Sequence, residues 1–268
     1  EVAAQRDVTL IDFVALVDRH SEHEIPGNRL FLDHVHPTLP GHRLLALSLL
    51  DEMARLDIVK LNESWSEQSV EQVAQLDGIE AILLSHGHFD HTGGLPWVLE
   101  QTGAKKIIAH PDVFAGHMAR LSPDPAVAPL YIGPPQTKEA FEAAGAIFDF
   151  REETGAVAPG FHFITGYARQ PEQTPGDRQL VLPQGEDHVP DPIAEDANLL
   201  LETPSGPVLV LGCAHGGVLN ILDHVKATFG ITRLHAILGG THLMFYAPEQ
   251  IRAAIEAFEA FDVKVVGV

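Results

Sequence analysis

Short apolar runs alternate with polar, glycine-rich turns along most of this chain, and their spacing predicts strands interleaved with helices. Ile79 to Leu84 reads as a buried strand, as do residues 106–110, 146–150, 160–165, 208–211, 234–238 and 263–268. Between them, apolar residues recur at helical spacing. Ile251, Ile255, Phe258 and Phe261 fall on one face of a helix predicted over 248–261, and a second helix is predicted over 218–227. Further helices are predicted from Pro96, over 111–120 and over 138–144. Residues 198–202 and 208–211 flank Pro204, Ser205 and Gly206 as a hairpin. Two stretches carry no period: 122–136, with five prolines, and 170–196, rich in Pro, Asp, Glu and Gly. The second is long for a structureless connection and predicts a lid or binding loop. The N-terminal part predicts a strand at 8–13, a short helix at 14–19, a helix from Gly41 with Leu45, Leu49, Met53 and Leu56 on one face, and a polar helix at 64–75.

The strand ending at Leu84 runs into Ser85-His86-Gly87-His88-Phe89-Asp90-His91-Thr92-Gly93-Gly94, three histidines and an aspartate within six residues. Imidazole and carboxylate are ordinary zinc ligands, and catalytic zinc sites keep a position open for water. On an extended backbone, residues two apart share a side, so His86 and His88 can reach one metal together. Gly87 between them leaves the backbone free to bend. Asp90 and His91 follow where the chain turns, and that turn can aim them at a second metal. Two later apolar strands also end in glycine-rich turns with a histidine: Gly212-Cys213-Ala214-His215-Gly216-Gly217 and Gly239-Gly240-Thr241-His242. Strand ends in layered α/β folds are where sites form. His215 reads as a ligand, while His242 reads equally as a ligand or a turn histidine. Cys213 reads as a small buried residue, Phe89 and Trp97 as core, and the acidic segment up to Asp196 as a solvated loop.

The chain has 268 residues, 45% of them hydrophobic, enough for one large domain or two small ones with a sizeable core. Acidic residues outnumber basic ones 37 to 17, for a net charge of -20. That argues against a nucleic-acid backbone as main partner, since phosphate binding needs clustered Lys and Arg. No apolar run approaches the ~20 residues that cross a bilayer. The opening residues have no basic start followed by an apolar stretch, so a cytoplasmic location is the default expectation. One cysteine excludes an internal disulfide and suits a reducing compartment.

The pattern His86-x-His88-x-Asp90-His91, followed in order by the Gly212–Gly217 and Gly239–Leu243 segments, resembles the dihydropterin synthase-like branch of the metallo-β-lactamase superfamily over about residues 76–268. The resemblance implies an α/β fold, an αββα sandwich with metals at one edge. It implies His86, His88 and His215 as ligands of a first metal and Asp90 and His91 as ligands of a second, with His242 carried over beside them. The first strands and the last segment of that fold are expected to be missing here, which would leave sheet edges that invite homo-oligomers. The implied activity is a metal-dependent hydrolase or related transferase acting on a small molecule, pterin-like or phosphorylated. Metal-bound water would supply hydroxide, and Asp90 would orient the nucleophile. Zinc, one or two ions, is the expected cofactor, with iron and manganese compatible with the same ligands.

Residues 1–75 resemble something else. Leu30-Phe31-Leu32-Asp33-His34-Val35-His36-Pro37 looks like the last block of SGNH (GDSL-type) hydrolases, in which Asp33 and His36 would be the acid and base of a triad. No Gly-Asp-Ser nucleophile block accompanies them, so no acyl-enzyme is expected. Two rival readings remain: a metal-binding but inert protein, truncated or fused, and a serine esterase working from the N-terminal part.

Overall fold

A computed structural model of the chain describes residues 13–21, scattered positions between 27 and 55, and residues 79–267 except 125. The chain divides into two compact units, residues 1–78 and 79–268. In the first unit, helix α1 (Phe13–His20) matches the helix expected there and buries Val17. Gly41, Leu44, Leu45, Leu47, Ser48 and Arg55 are also helical. The strand expected at 8–13 lies outside the described residues apart from Phe13, which opens α1; Asp33, His36 and the helix expected at 64–75 lie outside them too.

The second unit is layered. Strands β1 (Ala81–Leu83), β2 (Lys105–Ala109) and β5 (Ala146–Phe150) form a parallel sheet in the order β1-β2-β5. Strand β2 shows why it sits between two layers. Ile107 and Ala109 pack with Leu95, Leu99 and Phe141 from helices α3 (Leu95–Thr102) and α4 (Lys138–Ala143), while Ile108, on the opposite face, packs with Phe163 and Ala197. Alternate side chains of a strand point to opposite faces, so the continuous apolar run signals burial on both sides.

Phe163 belongs to the facing sheet, six strands in the order β13-β12-β11-β10-β7-β6. These are β6 (Gly155–Ala158), β7 (Phe161–Ile164), β10 (Asn198–Leu201), β11 (Val208–Leu211), β12 (Ala236–Gly239) and β13 (Val265–Gly267). Strands β11, β12 and β13 run parallel, so the loops after β11 and β12 leave the sheet at the same edge. Helices α5 (Val218–Phe229) and α6 (Pro248–Ala260) cover the outer face through Ile221, Leu222, Val225 and Ala254 against Leu200, Leu209 and Ile237. Each fully buried Ile, Leu or Phe contributes roughly 1.5–3 kcal/mol of transfer free energy. The result is helix, sheet, sheet, helix. No helix among the described residues is long and apolar enough to cross a membrane.

Three expectations fail. Residues 111–120 form a single 3-10 turn, Pro111–Phe114, and then strand β3 (Met118–Ala119). Pro111 suits the first turn of any helix, but Gly116, at φ +85, ends it in favour of an extended strand. Residues 170–196 are not structureless: β8 (Leu180–Gln184) and β9 (Asp187–Pro190) make a hairpin that joins β3 and β4 (Leu130–Tyr131) in a four-stranded sheet, β4-β3-β8-β9. Its turn is Gly185, in the left-handed region, with Glu186. Phe89 and Trp97 are about half exposed rather than core.

Candidate metal centre

The motif after β1 folds as an extended Leu84–His88 segment followed by one helical turn, α2 (Phe89–Thr92), which Thr92 steadies by donating from Oγ1 to the His88 carbonyl at 2.9 Å. The extended part turns His86 and His88 toward a common point: His86 Nε2 and His88 Nδ1 lie 3.1 Å apart. The helical turn brings His91 back over the same place, its ring 4.1 Å from that of His86. Ser85 Oγ lies 3.1 Å from His86 Nδ1 and 3.3 Å from His91 Nδ1, so one hydroxyl orients both rings and leaves their Nε2 atoms for the centre.

The loops after β11 and β12 supply the rest. His215 packs against His86 and His88 with ring centroids at 4.7 and 4.9 Å, and His242 lies 4.1 Å from His215. Both loops hold a non-glycine residue in the left-handed region, Ala214 at φ 55 and His242 at φ 50; such conformations concentrate at functional sites. The ligand atoms of His86, His88 and His215 all lie within 4.8 Å of one another. Asp90 sits at the rim, about half exposed, with Oδ2 3.4 Å from His91 Nε2. The structure therefore gathers His86, His88, His91, His215 and His242, with Asp90 at the edge.

The electrostatics of this cluster suit a cation. Burial, reinforced by the neighbouring rings, lowers His86 and His215 far below the ordinary imidazole value. Burial likewise pulls His88 down to about 4, with Asp90, Glu195 and Asp191 opposing, and it lowers His242. All four are neutral at pH 7 and present lone pairs. Nε2 of His88 and Nε2 of His215 are buried without a hydrogen-bond partner. Buried polar atoms are nearly always paired, and a divalent ion among three imidazoles is what neutral His ligands ordinarily accept.

Below the rings lies a set of groups that the sequence reading passed over. His117, fully buried, is clamped between two carboxylates: Nδ1 is 2.6 Å from Asp191 Oδ2 and Nε2 is 3.0 Å from Glu195 Oε1. Burial works against its charge, but the bonds to Asp191 and Glu195 outweigh that and raise it to about 10. The same Glu195 oxygen accepts from Gly87 N–H at 3.3 Å, inside the motif. Asp196, wholly buried, accepts from His215 N–H at 3.0 Å and from the Tyr167 hydroxyl. Ala197 N–H donates to Ser85 O at 2.8 Å, and Asn198 Oδ1 accepts from Gly212 N–H at 3.1 Å. Arg169 donates to the carbonyls of Pro192, Ile193 and Ala194. Residues 191–198 thus form a seam joining both histidine loops, buried at Ile193 and from Glu195 to Asn198 though exposed at Pro192 and Ala194, and Arg169 is a clamp on that seam.

Two glycines are fixed by this crowding. A Cβ on Gly87 would stand 2.2 Å from Val113 O and 2.6 Å from the His117 ring, so close approach, not freedom to bend, is what requires glycine. A Cβ on Gly212 would stand 2.4 Å from that of Ser85. Cys213 is not a mere filler: its Sγ lies 3.1 Å from His91 Nε2. His110 instead caps the 3-10 turn, Nδ1 accepting from Asp112 N–H at 3.2 Å.

This fold and histidine cluster place the chain in a known class, and it belongs to the metallo-beta-lactamase superfamily, whose match extends over residues 63–246. Among individual proteins it is similar to the 7,8-dihydropterin-6-methyl-4-(beta-D-ribofuranosyl)-aminobenzene-5'-phosphate synthase of Methanocaldococcus jannaschii, 28% identical over 193 residues, covering 70% of this chain and 64% of the synthase. It is also similar to the uncharacterized protein MJ0448 of the same organism, 25% identical over 187 residues, covering 69% of this chain and 66% of that protein. The chain spans just under two thirds of the length of these curated relatives. The crystal structure of Tm1679, a metal-dependent hydrolase of the beta-lactamase superfamily, superposes with a TM-score of 0.60 at 21% identity, covering 75% of this chain and 73% of that one. At that identity the likeness is one of fold.

Proposed function

We propose that this chain is a metal-dependent hydrolase, or a related transferase, acting on a small molecule. His86, His88 and His215 would hold a first divalent cation, and Asp90, His91 and His242 a second. The observation that carries this reading is the set of three buried, neutral imidazoles whose ligand atoms lie within 4.8 Å of one another, two of them with a partnerless nitrogen. Zinc fits the nitrogen-rich donors. When bound, such a cation brings the pKa of water toward ~7 and polarises a carbonyl or phosphoryl oxygen.

The chain's own residues would do the positioning. Ser85 sets the rotation of His86 and His91, Glu195 fixes the backbone between His86 and His88, and Asp196 fixes the backbone of His215. Asp90, at the solvent edge, would orient the attacking water and take up its proton at a carboxylate oxygen. A pterin-like or phosphorylated substrate is proposed from the likeness to the M. jannaschii synthase.

The test is elemental analysis of the purified chain beside the double variant H86A/H88A, with turnover of ester, lactam and phosphodiester probes. Loss of both metal and turnover is expected. Turnover that survives in the variant overturns the reading.

A further inference from the structure

Residues 170–177 contain only a 3-10 turn, Pro171–Gln173, yet they are tied repeatedly to the two later histidine loops. Asn220, 2% exposed, accepts from Gln170 N–H at 3.0 Å, and its Nδ2 donates to Gly216 O at 2.8 Å and to Thr174 Oγ1 at 3.2 Å. One side chain therefore joins the segment to the residue that follows His215. The Tyr246 hydroxyl donates to Gln173 O at 3.0 Å and accepts from Val218 N–H at 3.2 Å, and Gln250 Nε2 donates to Glu172 O at 2.8 Å. The segment passes so close to the His215 loop that a Cβ on Gly217 would stand 2.0 Å from Gln173 O. Further on, Gly176 N–H donates to Phe245 O at 3.4 Å, on the loop after β12.

What this strap delivers is Asp177. Its Oδ2 lies 3.9 Å from His242 Nε2, with the two side chains 11% and 19% exposed. Its other oxygen is engaged, Oδ1 accepting from Gln179 N–H at 3.0 Å, so Oδ2 is the atom left for the ring. The ring is held in turn by Phe245, stacked on it at 5.0 Å and 23°, and by the left-handed backbone of His242 itself. Among the described residues no Lys or Arg forms an ion pair with Asp177. A carboxylate this far out of water is costly unless positive charge meets it. A role for His242 as a mere turn residue gives no reason to anchor such a group against its ring.

We propose, building on the reading of this centre as a cation site, that Asp177 is a positioning residue for the second cation, acting through His242 and not as a ligand itself. The carboxylate takes up the proton-bearing nitrogen of the ring, fixes its rotation and leaves the other nitrogen for the ion. Metal-ligating histidines ordinarily give their second nitrogen to a carboxylate or carbonyl in this way. The negative charge of Asp177 also favours a cation held by the ring beside it. Asn220 acts one step further out, since it ties the segment that carries Asp177 to the loop of His215.

Cobalt(II) titration of the full chain tests this, in parallel with D177N, D177A and D177E. The unaltered chain is expected to take up two ions. D177N and D177A should bind the second about 10–100-fold more weakly, the range that indirect partners of a metal command, and should shift its visible absorption bands. D177E keeps the charge and should recover most of the affinity. By circular dichroism, metal-free D177N should melt within about 2 °C of the parent, since the substitution preserves size and removes no buried partner. Unchanged second-ion affinity and bands in D177N and D177A overturn the proposal while leaving the cation centre standing. So does a fall in metal-free melting temperature that accompanies the loss of affinity and is not rescued by D177E, because Asp177 then serves folding alone. Uptake of only one ion by the unaltered chain removes the second position and this proposal with it, and uptake of none overturns the reading of the centre as well.

Discussion

Replacing His117 by glutamine removes the one positive charge between two buried carboxylates. The side chains of His117, Asp191 and Glu195 are 0%, 1% and 2% exposed, so the anions left behind have no route to water. Breaking a buried pair by deleting one partner costs about 3–5 kcal/mol, because an uncompensated charge stays in a medium of low polarisability. For a unit of the size of residues 79–268, each kcal/mol lowers the melting temperature by roughly 2–4 °C. H117Q should therefore melt about 6–20 °C below the parent, read by circular dichroism on metal-free protein at pH 7. The triple variant H117Q/D191N/E195Q removes both carboxylates together with the cation, and should regain most of the loss, since replacing all charged partners is far cheaper than orphaning some. The pH dependence has a definite sign. The imidazole is raised from 6.5 to about 10, so its contribution is complete below pH 6.5 and disappears as pH rises through about 10. An H117Q melting temperature within about 2 °C of the parent, set against the drop expected above, would refute the view of His117 as a buried, charged clamp.

Three further outcomes follow from the same geometry. Asp196→Asn weakens the carboxylate's hold on His215 N–H and the Tyr167 hydroxyl, and should cut metal affinity about 10–100-fold by competition with a chromogenic chelator. Gly87→Ala drives a methyl against Val113 O and the His117 ring; it should destabilise by at least about 1–3 kcal/mol in urea unfolding and weaken metal uptake with it. In metal-free protein, His88 lies at about 4 when folded against 6.5 unfolded. The unfolded chain binds more protons between those values, so stability should fall as pH drops from 6.5 toward 4; a flat urea midpoint over that range contradicts a buried neutral His88.

The layered fold was legible because burial on two faces leaves continuous apolar strands such as 106–110, and because His86, His88, Asp90 and His91 cluster within six residues of one such strand. What stayed hidden shares one physical cause. His117 sits just before β3 while Asp191, Glu195 and Asp196 lie on the segment before β10, about seventy residues on, and each alone reads as solvent-facing. Their pairing is a tertiary event with no local period. A faint signal did exist: Asp191-Pro192-Ile193-Ala194-Glu195-Asp196-Ala197-Asn198 leads directly into the buried strand β10, with apolar residues between its acids. The failed helix at 111–120 has another cause. Gly116 and the pairing of Met118 and Ala119 with β8 override helical periodicity once the 180–190 hairpin supplies an edge.

The seam also bears on what the centre binds. Its imidazoles resist protons because each is buried and surrounded by other rings, so charging any one of them repels charge on the next. A proton takes one lone pair and leaves its neighbours facing a new positive charge. A divalent ion would take several lone pairs at once, and the Asp191 and Glu195 carboxylates, which already favour positive charge at His88, would favour its charge too, only partly balanced by His117. Opposite charge within a few ångströms in a poorly screened interior is worth far more than at the surface. The arrangement that makes these histidines poor bases thus makes them good ligands. It follows that D191N/E195Q should weaken zinc binding more than it weakens protonation of His88. A zinc titration read beside the imidazole proton resonances separates the two, and equal effects on both would refute a carboxylate floor acting on the ion.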